Sequence, residues 1–124
     1  MKHPIKISQA EWEVMTVAWK KSPVAASEIV GQLAPKNNWH PRTIRTLLAR
    51  LVGKRALRAA RDGKRYLYEP KVTMEECVQH ESRSFLERVF GGAPASMLIN
   101  LVKHAELRPE EIQQLKRILS EKEK

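Results

Sequence analysis

The chain is short of the residues on which covalent and metal chemistry depend. It has a single cysteine, Cys77, in 124 residues, which excludes an internal disulfide and any cysteine-rich zinc site. Its four histidines, His3, His40, His80 and His104, have no partners at metal-ligand spacing. His80-Glu81 opens like the H-E-x-x-H zinc motif, but Ser84 stands where the second histidine is needed. The nucleophile-elbow, P-loop and dinucleotide-binding patterns do not occur. No enzyme, cofactor or metal is therefore expected, and Cys77 reads as a plain buried thiol. No apolar run approaches the roughly eighteen residues of a membrane span. The basic start, Met1–Lys6, is not followed by the apolar stretch of a signal peptide. These absences lead to the expectation of a cytoplasmic protein that does not insert into a membrane.

What the chain has in excess is positive charge, unevenly spread. Residues 1–71 carry fifteen Lys and Arg against five acids, a net +10, whereas residues 72–124 carry eight against nine, a net −1. A basic half joined to a neutral one is the footprint of a polyanion-binding module with an appendage of another kind. Boundaries at 1–71 and 72–124 follow, the first for DNA binding and the second for helical dimerisation.

Periodicity within the basic half reads as three helices and a hairpin. Ser8 and Glu11 form a capping box at the start of the first helix, where Trp12, Met15 and Trp19 repeat along one stripe and Ser22-Pro23 ends it. That spacing makes the tryptophans core residues rather than base-stacking platforms. A second helix is predicted from Ala26 to Leu33, with Ile29, Val30 and Leu33 on one face and Pro35 as its stop. The third begins at Pro41, where a proline loses no hydrogen bond, and points Ile44, Leu47, Leu48 and Leu51 inward. Trp39, just before it, fits either packing under the turn or contact with the sugar-phosphate backbone. Strands at Leu57–Arg61 and Lys64–Tyr68 then flank Asp62-Gly63, a strong two-residue turn signal, with Pro70 closing the second strand. The order is that of a winged helix-turn-helix.

If the leucines of the third helix point inward, Arg42, Thr43, Arg45, Thr46, Ala49 and Arg50 point outward. Arginine pairs bidentately with guanine, and threonine offers a hydroxyl and a methyl to base edges. Because the N-terminal part of a recognition helix meets the bases, Arg42, Thr43, Arg45 and Thr46 are the candidate base contacts. Arg50, Lys54, Arg61, Lys64 and Arg65 are the candidate phosphate contacts, which position without reading sequence. Arg55 and Arg58 extend the same basic stripe.

The neutral half is helical. Thr73 and Glu76 form a second capping box, opening a helix with Val78, Phe85, Leu86, Val89 and Phe90 on its apolar side and a stop at Gly91-Gly92. Further helices start at Pro94 and near Pro109. Phe85, Val89, Met97, Leu98, Leu101, Ile112, Leu115 and Leu119 are the candidate dimer contacts, since three short amphipathic segments bury little alone. The fold class is thus mainly α with a small β-hairpin: a winged helix-turn-helix domain plus a three-helix dimerisation region.

These residues resemble the penicillinase-repressor (BlaI/MecI) family along nearly the whole chain. The likeness is carried by Ile7-Ser8 with Ala10-Glu11-Trp12-Glu13-Val14-Met15, by Glu28-Ile29-Val30, and by Thr43-Ile44-Arg45-Thr46-Leu47. Phe85-Leu86, Phe90-Gly91-Gly92 and Glu111-Ile112 with Leu115 extend it. The resemblance implies a homodimer that represses transcription from a palindromic double-stranded DNA operator. It also implies inactivation by a sensor-linked protease at an Asn–Phe bond after the Gly-Gly pair. The corresponding bond here is Asn100–Leu101, with leucine in place of phenylalanine. By residue chemistry alone, Asn100 reads as a polar residue that fixes helix pairing in an apolar seam rather than as a cleavage site. Copper-responsive relatives carry a C-terminal cysteine motif that is missing here. A non-specific DNA-coating protein and a winged-helix protein-interaction module are the competing readings.

Overall fold

The computed structural model describes residues 5–124; Met1–Pro4, including His3 and most of the basic start, lie outside it. The chain divides into two compact units, residues 5–82 and 83–124 of the described part. The division falls eleven residues beyond the change of charge at residue 71, inside a helix rather than before it.

In the first unit, α1 (Gln9–Lys20) starts at the expected capping box: Ser8 Oγ accepts from the Glu11 N–H at 3.1 Å, and Glu11 Oε1 accepts from the Ser8 N–H at 2.8 Å. β1 (Val24–Ala25) follows, a two-residue strand that periodicity could not reveal. α2 runs Ala26–Asn37, through Pro35 and one turn beyond the expected end at Leu33. Pro35 sits in the last turn, where its missing N–H costs one hydrogen bond. The actual stop is Asn38, which adopts the left-handed conformation (φ 55°) that asparagine tolerates. α3 (Pro41–Gly53) begins at the expected proline.

The C-terminus of α3 is a Schellman motif. The Ala56 N–H donates to the Leu51 carbonyl at 2.9 Å and the Arg55 N–H to the Val52 carbonyl at 3.0 Å. Arg55 takes the left-handed position (φ 67°) that glycine usually fills, and Ala56 is buried beneath the turn.

The hairpin is β2 (Leu57–Asp62) with β3 (Arg65–Pro70), and Asp62 pairs with Arg65. The two-residue loop is therefore Gly63-Lys64, one position later than the expected Asp62-Gly63. Only Gly63 has positive φ (66°), which suits a turn with glycine at its first central position. β3 also pairs with β1, Val24 opposite Tyr68, so the hairpin is part of a three-stranded antiparallel sheet of order β1-β3-β2. α4 (Met74–Phe90) opens at the Thr73–Glu76 capping box, with the Glu76 N–H donating to Thr73 Oγ1 at 3.0 Å.

The core of this unit gathers Val14, Met15 and Ala18 of α1, Ile29 and Leu33 of α2, Ile44, Leu47, Leu48 and Leu51 of α3, Leu57 of β2 and Cys77 of α4. Trp12 and Trp19 meet edge-to-face at 5.5 Å and pack half-buried on that core, as does Trp39. Trp19 Nε1 also donates to the Val72 carbonyl at 3.0 Å, tying α1 to the exit of the sheet. Burial pushes the Cys77 thiol up from its ordinary pKa, with the Glu76 charge adding to the effect, so it is held protonated and unreactive.

One core residue is charged. Glu11 is 2% exposed, and its Oε1 accepts from Lys54 Nζ at 2.6 Å as well as from Ser8. Burial pushes its pKa up. The hydrogen bond from Lys54, those from Ser8 and the lysine charge outweigh it, leaving the carboxyl below its usual range.

In the second unit, α4 ends at Gly91 and Gly92, both with positive φ. α5 (Pro94–His104) and α6 (Pro109–Lys122) follow. Neither α5 nor α6 has a buried residue.

A folded-state pKa below the unfolded one means that Glu11 adds stability fully present above the ordinary carboxylate range and lost as pH falls through its depressed value. Glu11→Gln should therefore cost about 1–2 kcal/mol near neutral pH, allowing for the solvent around Lys54. The deficit should shrink below about pH 4. Urea denaturation of both proteins from neutral pH into acid checks this, and a deficit that widens in acid contradicts it.

Candidate nucleic-acid interface

The geometry of α3 follows from its two faces. Ile44, Leu47, Leu48 and Leu51 are each at most 5% exposed, which fixes the rotation of the helix. Arg42, Thr43, Arg45, Thr46, Ala49 and Arg50 are all exposed, as the spacing predicted. From Arg42 to Arg50 the helix rises about 12 Å, comparable with the width of a major groove, about 12 Å. Arg42, Arg45 and Arg50 make no ion pair or side-chain hydrogen bond among the described residues, so their guanidinium groups are available to a ligand. The Thr46 hydroxyl donates to the Arg42 carbonyl at 3.0 Å, so this side chain offers its methyl and its oxygen lone pairs outward.

The helix start is capped by His40, whose Nδ1 accepts from the Arg42 N–H at 3.0 Å. Nδ1 can accept only when it carries no proton, which puts the ring proton on Nε2. His40 was not singled out in the sequence. The N-cap position before Pro41 was the available signal, but histidine is not among the usual capping residues.

The turn of the hairpin holds the second cationic cluster. Lys64 occupies the second loop position, exposed and without a partner among the described residues. Arg61 Nε donates to the Gly63 carbonyl at 3.1 Å, which leaves its terminal nitrogens available. Arg65 faces Asp62 at 3.5 Å, with both side chains more than half exposed. A pair so solvated is worth only about 0–1 kcal/mol, so a phosphate can displace it. Arg58, by contrast, is ion-paired to Glu69 across the strands.

Lys54 does not join either cluster. It caps the C-terminus of α3, and Leu57 to Asp62 then spans about 17 Å of strand before the turn. Its ammonium donates to Glu11 Oε1 at 2.6 Å and to the Lys6 carbonyl at 2.8 Å, so it is held by partners of its own at the protein surface, with its side chain 38% exposed. Reading charge along the chain cannot reveal a partner 43 residues away.

The candidate dimer residues lie in the second unit. Phe85 and Val89 of α4, Leu98 and Leu101 of α5, and Ile112 and Leu119 of α6 are exposed, with Val89 at 54% and Leu119 at 56%. Met97 and Leu115 are half-buried. Asn100 and Leu101 sit exposed on α5. Among the described residues no group of His, Cys, Asp and Glu could hold a metal ion, and no helix is long and apolar enough to cross a membrane.

The sequence model of the penicillinase repressor family matches residues 7–121. The chain is 38% identical over 121 residues to the penicillinase repressor of Bacillus licheniformis, covering 98% of this chain and 94% of that protein. It is 34% identical over 117 residues to the methicillin resistance regulatory protein MecI of Staphylococcus aureus, covering 94% and 95%. Among solved structures it is similar to the solution structure of the monomeric form of B. licheniformis BlaI in complex with the blaP half-operator. The TM-score there is 0.54 and the identity 38%, over 61% of this chain and 93% of that one.

Proposed function

Because this chain belongs to the penicillinase repressor family, we propose that it is a sequence-specific DNA-binding transcriptional repressor, acting in the cytoplasm as a homodimer on a palindromic operator. The observation that carries this reading is the outer face of α3, where Arg42, Arg45 and Arg50 stand exposed and uncompensated among the described residues beside Thr43 and Thr46. Arg42, Thr43, Arg45 and Thr46 read base edges. Arg50, Arg61, Lys64 and Arg65 hold the phosphate backbone. The likeness to a repressor domain bound to its half-operator supports the same assignment.

The dimer is supported by the exposed apolar stripes of the second unit. Phe85, Val89, Met97, Leu98, Leu101, Ile112, Leu115 and Leu119 supply the contact surface. A two-fold assembly places two recognition helices on half-sites about 34–36 Å apart, and the second binding event becomes intramolecular. Repression then ends when a sensor-linked protease cuts at Asn100–Leu101, which separates α6 from the rest of the contact surface. That bond lies within α5, so cleavage requires local unwinding of the helix to an extended strand.

The reading is tested by selecting duplexes from a random pool with the purified protein. Recovery of a palindrome supports it, whereas binding without preference indicates a non-specific coating protein. No binding to any duplex at low salt indicates a protein-interaction module. Arg45→Ala should lose about 1–3 kcal/mol on the selected palindrome and relax the preference at one position. Lys64→Ala should weaken all duplexes alike and lower the salt dependence by about one counterion. Sedimentation equilibrium should give a dimer for the wild-type chain and a monomer for Leu98→Asp/Leu101→Asp; a monomeric wild type at micromolar concentration contradicts the assembly.

A further inference from the structure

We infer that Lys54 is a positioning residue for the recognition helix, acting through Glu11 to set the angle at which α3 presents Arg42, Thr43, Arg45 and Thr46 to the bases. The inference rests on the DNA-binding reading above and concerns what holds those residues in place.

Lys54 sits where α3 ends, its backbone N–H donating to the Arg50 and Val52 carbonyls. Its ammonium reaches Glu11 Oε1 at 2.6 Å and the Lys6 carbonyl at 2.8 Å. Glu11 lies in the first turn of α1. The carboxylate is thus at the positive pole of α1 and the ammonium at the negative pole of α3, each favoured by its own helix. The bridge joins the two poles and pins the segment before α1 to the same point. Glu11 Oε2 is buried with no partner among the described residues, so the carboxylate depends entirely on the contacts of Oε1. Once Lys54 is removed, only the Ser8 N–H remains on that atom.

Stability alone does not explain a buried charge at this joint, because a well-packed apolar pair often serves as well or better. A charged pair differs in being directional. α3 extends about 18 Å from Lys54 back to Arg42, so a tilt of about 10° at the joint displaces Arg42 by about 3 Å. Hydrogen bonds to base edges do not survive a shift of that size, since functional groups must be held to about 0.5 Å. Contacts to the uniform phosphate backbone, made by long flexible side chains, tolerate it.

The test is the double variant Glu11→Gln/Lys54→Met. The introduced glutamine amide keeps an acceptor for the Ser8 N–H, the methionine fills the volume of the lysine stem, and the net charge of the protein is unchanged. Affinities for the palindrome selected by the wild-type chain and for a random duplex of equal length are measured at one salt concentration. The temperature is chosen so that circular dichroism shows both proteins folded. The expected result is a fall of about tenfold or more in the ratio of the two affinities, with random-duplex affinity changed less than about twofold. Lys54→Arg, which keeps the charge but alters the reach, should lower the ratio by an intermediate factor, and it carries the test if the double variant does not fold. An unchanged ratio, or equal losses on both duplexes, overturns the inference. A wild-type chain that selects no duplex overturns the DNA-binding reading and this inference together, and is told apart because it appears before any variant is made.

Discussion

Burial of one stripe on α3 is the constraint from which the rest of the first unit follows. Ile44, Leu47, Leu48 and Leu51 have almost no contact with water, and their transfer is worth on the order of 8 kcal/mol. Rolling the helix by a single residue position, about 100°, would bring them toward solvent and push Arg45 or Thr46 into an apolar core. Nothing in the exposed side chains could offset that cost. The outer face is therefore set by the inner one, and the cations are presented as a consequence of where the leucines must go. The supporting elements serve the same end: α1 and α2 provide the floor, His40 closes the start, and the left-handed Arg55 turns the chain into the sheet.

The second unit shows the same patterning with the opposite outcome. Its helices also have apolar stripes, yet α5 and α6 bury no residue, and Val89, Leu98, Leu101 and Leu119 are about half exposed or more. This exposed apolar surface is the face on which the second copy packs in the proposed dimer. In the proposed dimer the near-neutral charge of this part of the chain has a physical purpose, since two copies could not be brought together through basic halves that each carry a net +10.

Much of this architecture was legible from residue patterns, for identifiable reasons. Capping boxes at Ser8 and Thr73 and the proline at Pro41 are local signals, satisfied by partners within three residues, and each marks the helix it announces. The leucine spacing of α3 is likewise local. What escaped depends on contacts distant in sequence or on small choices of backbone conformation. β1 is only two residues long and exists because β3 pairs with it. α2 passes its proline because Asn38 can take the left-handed position that stops the helix. The turn moved by one residue because Asp62 pairs with Arg65, leaving glycine at the first loop position. Lys54 looked like one more cation in a basic stripe, and only the packing of α1 against α3 reveals the carboxylate it serves.

The central claim is that the outer face of α3 and the hairpin turn form the surface on which duplex DNA lies. Amide chemical-shift mapping of the full chain during titration with a duplex that it selects tests this most directly. The account predicts that the largest changes fall at 40–46 and 63–65, with little change at Asn37 and Asn38 or along α6. Changes confined to residues 94–122, with the amides of α3 undisturbed, would contradict it.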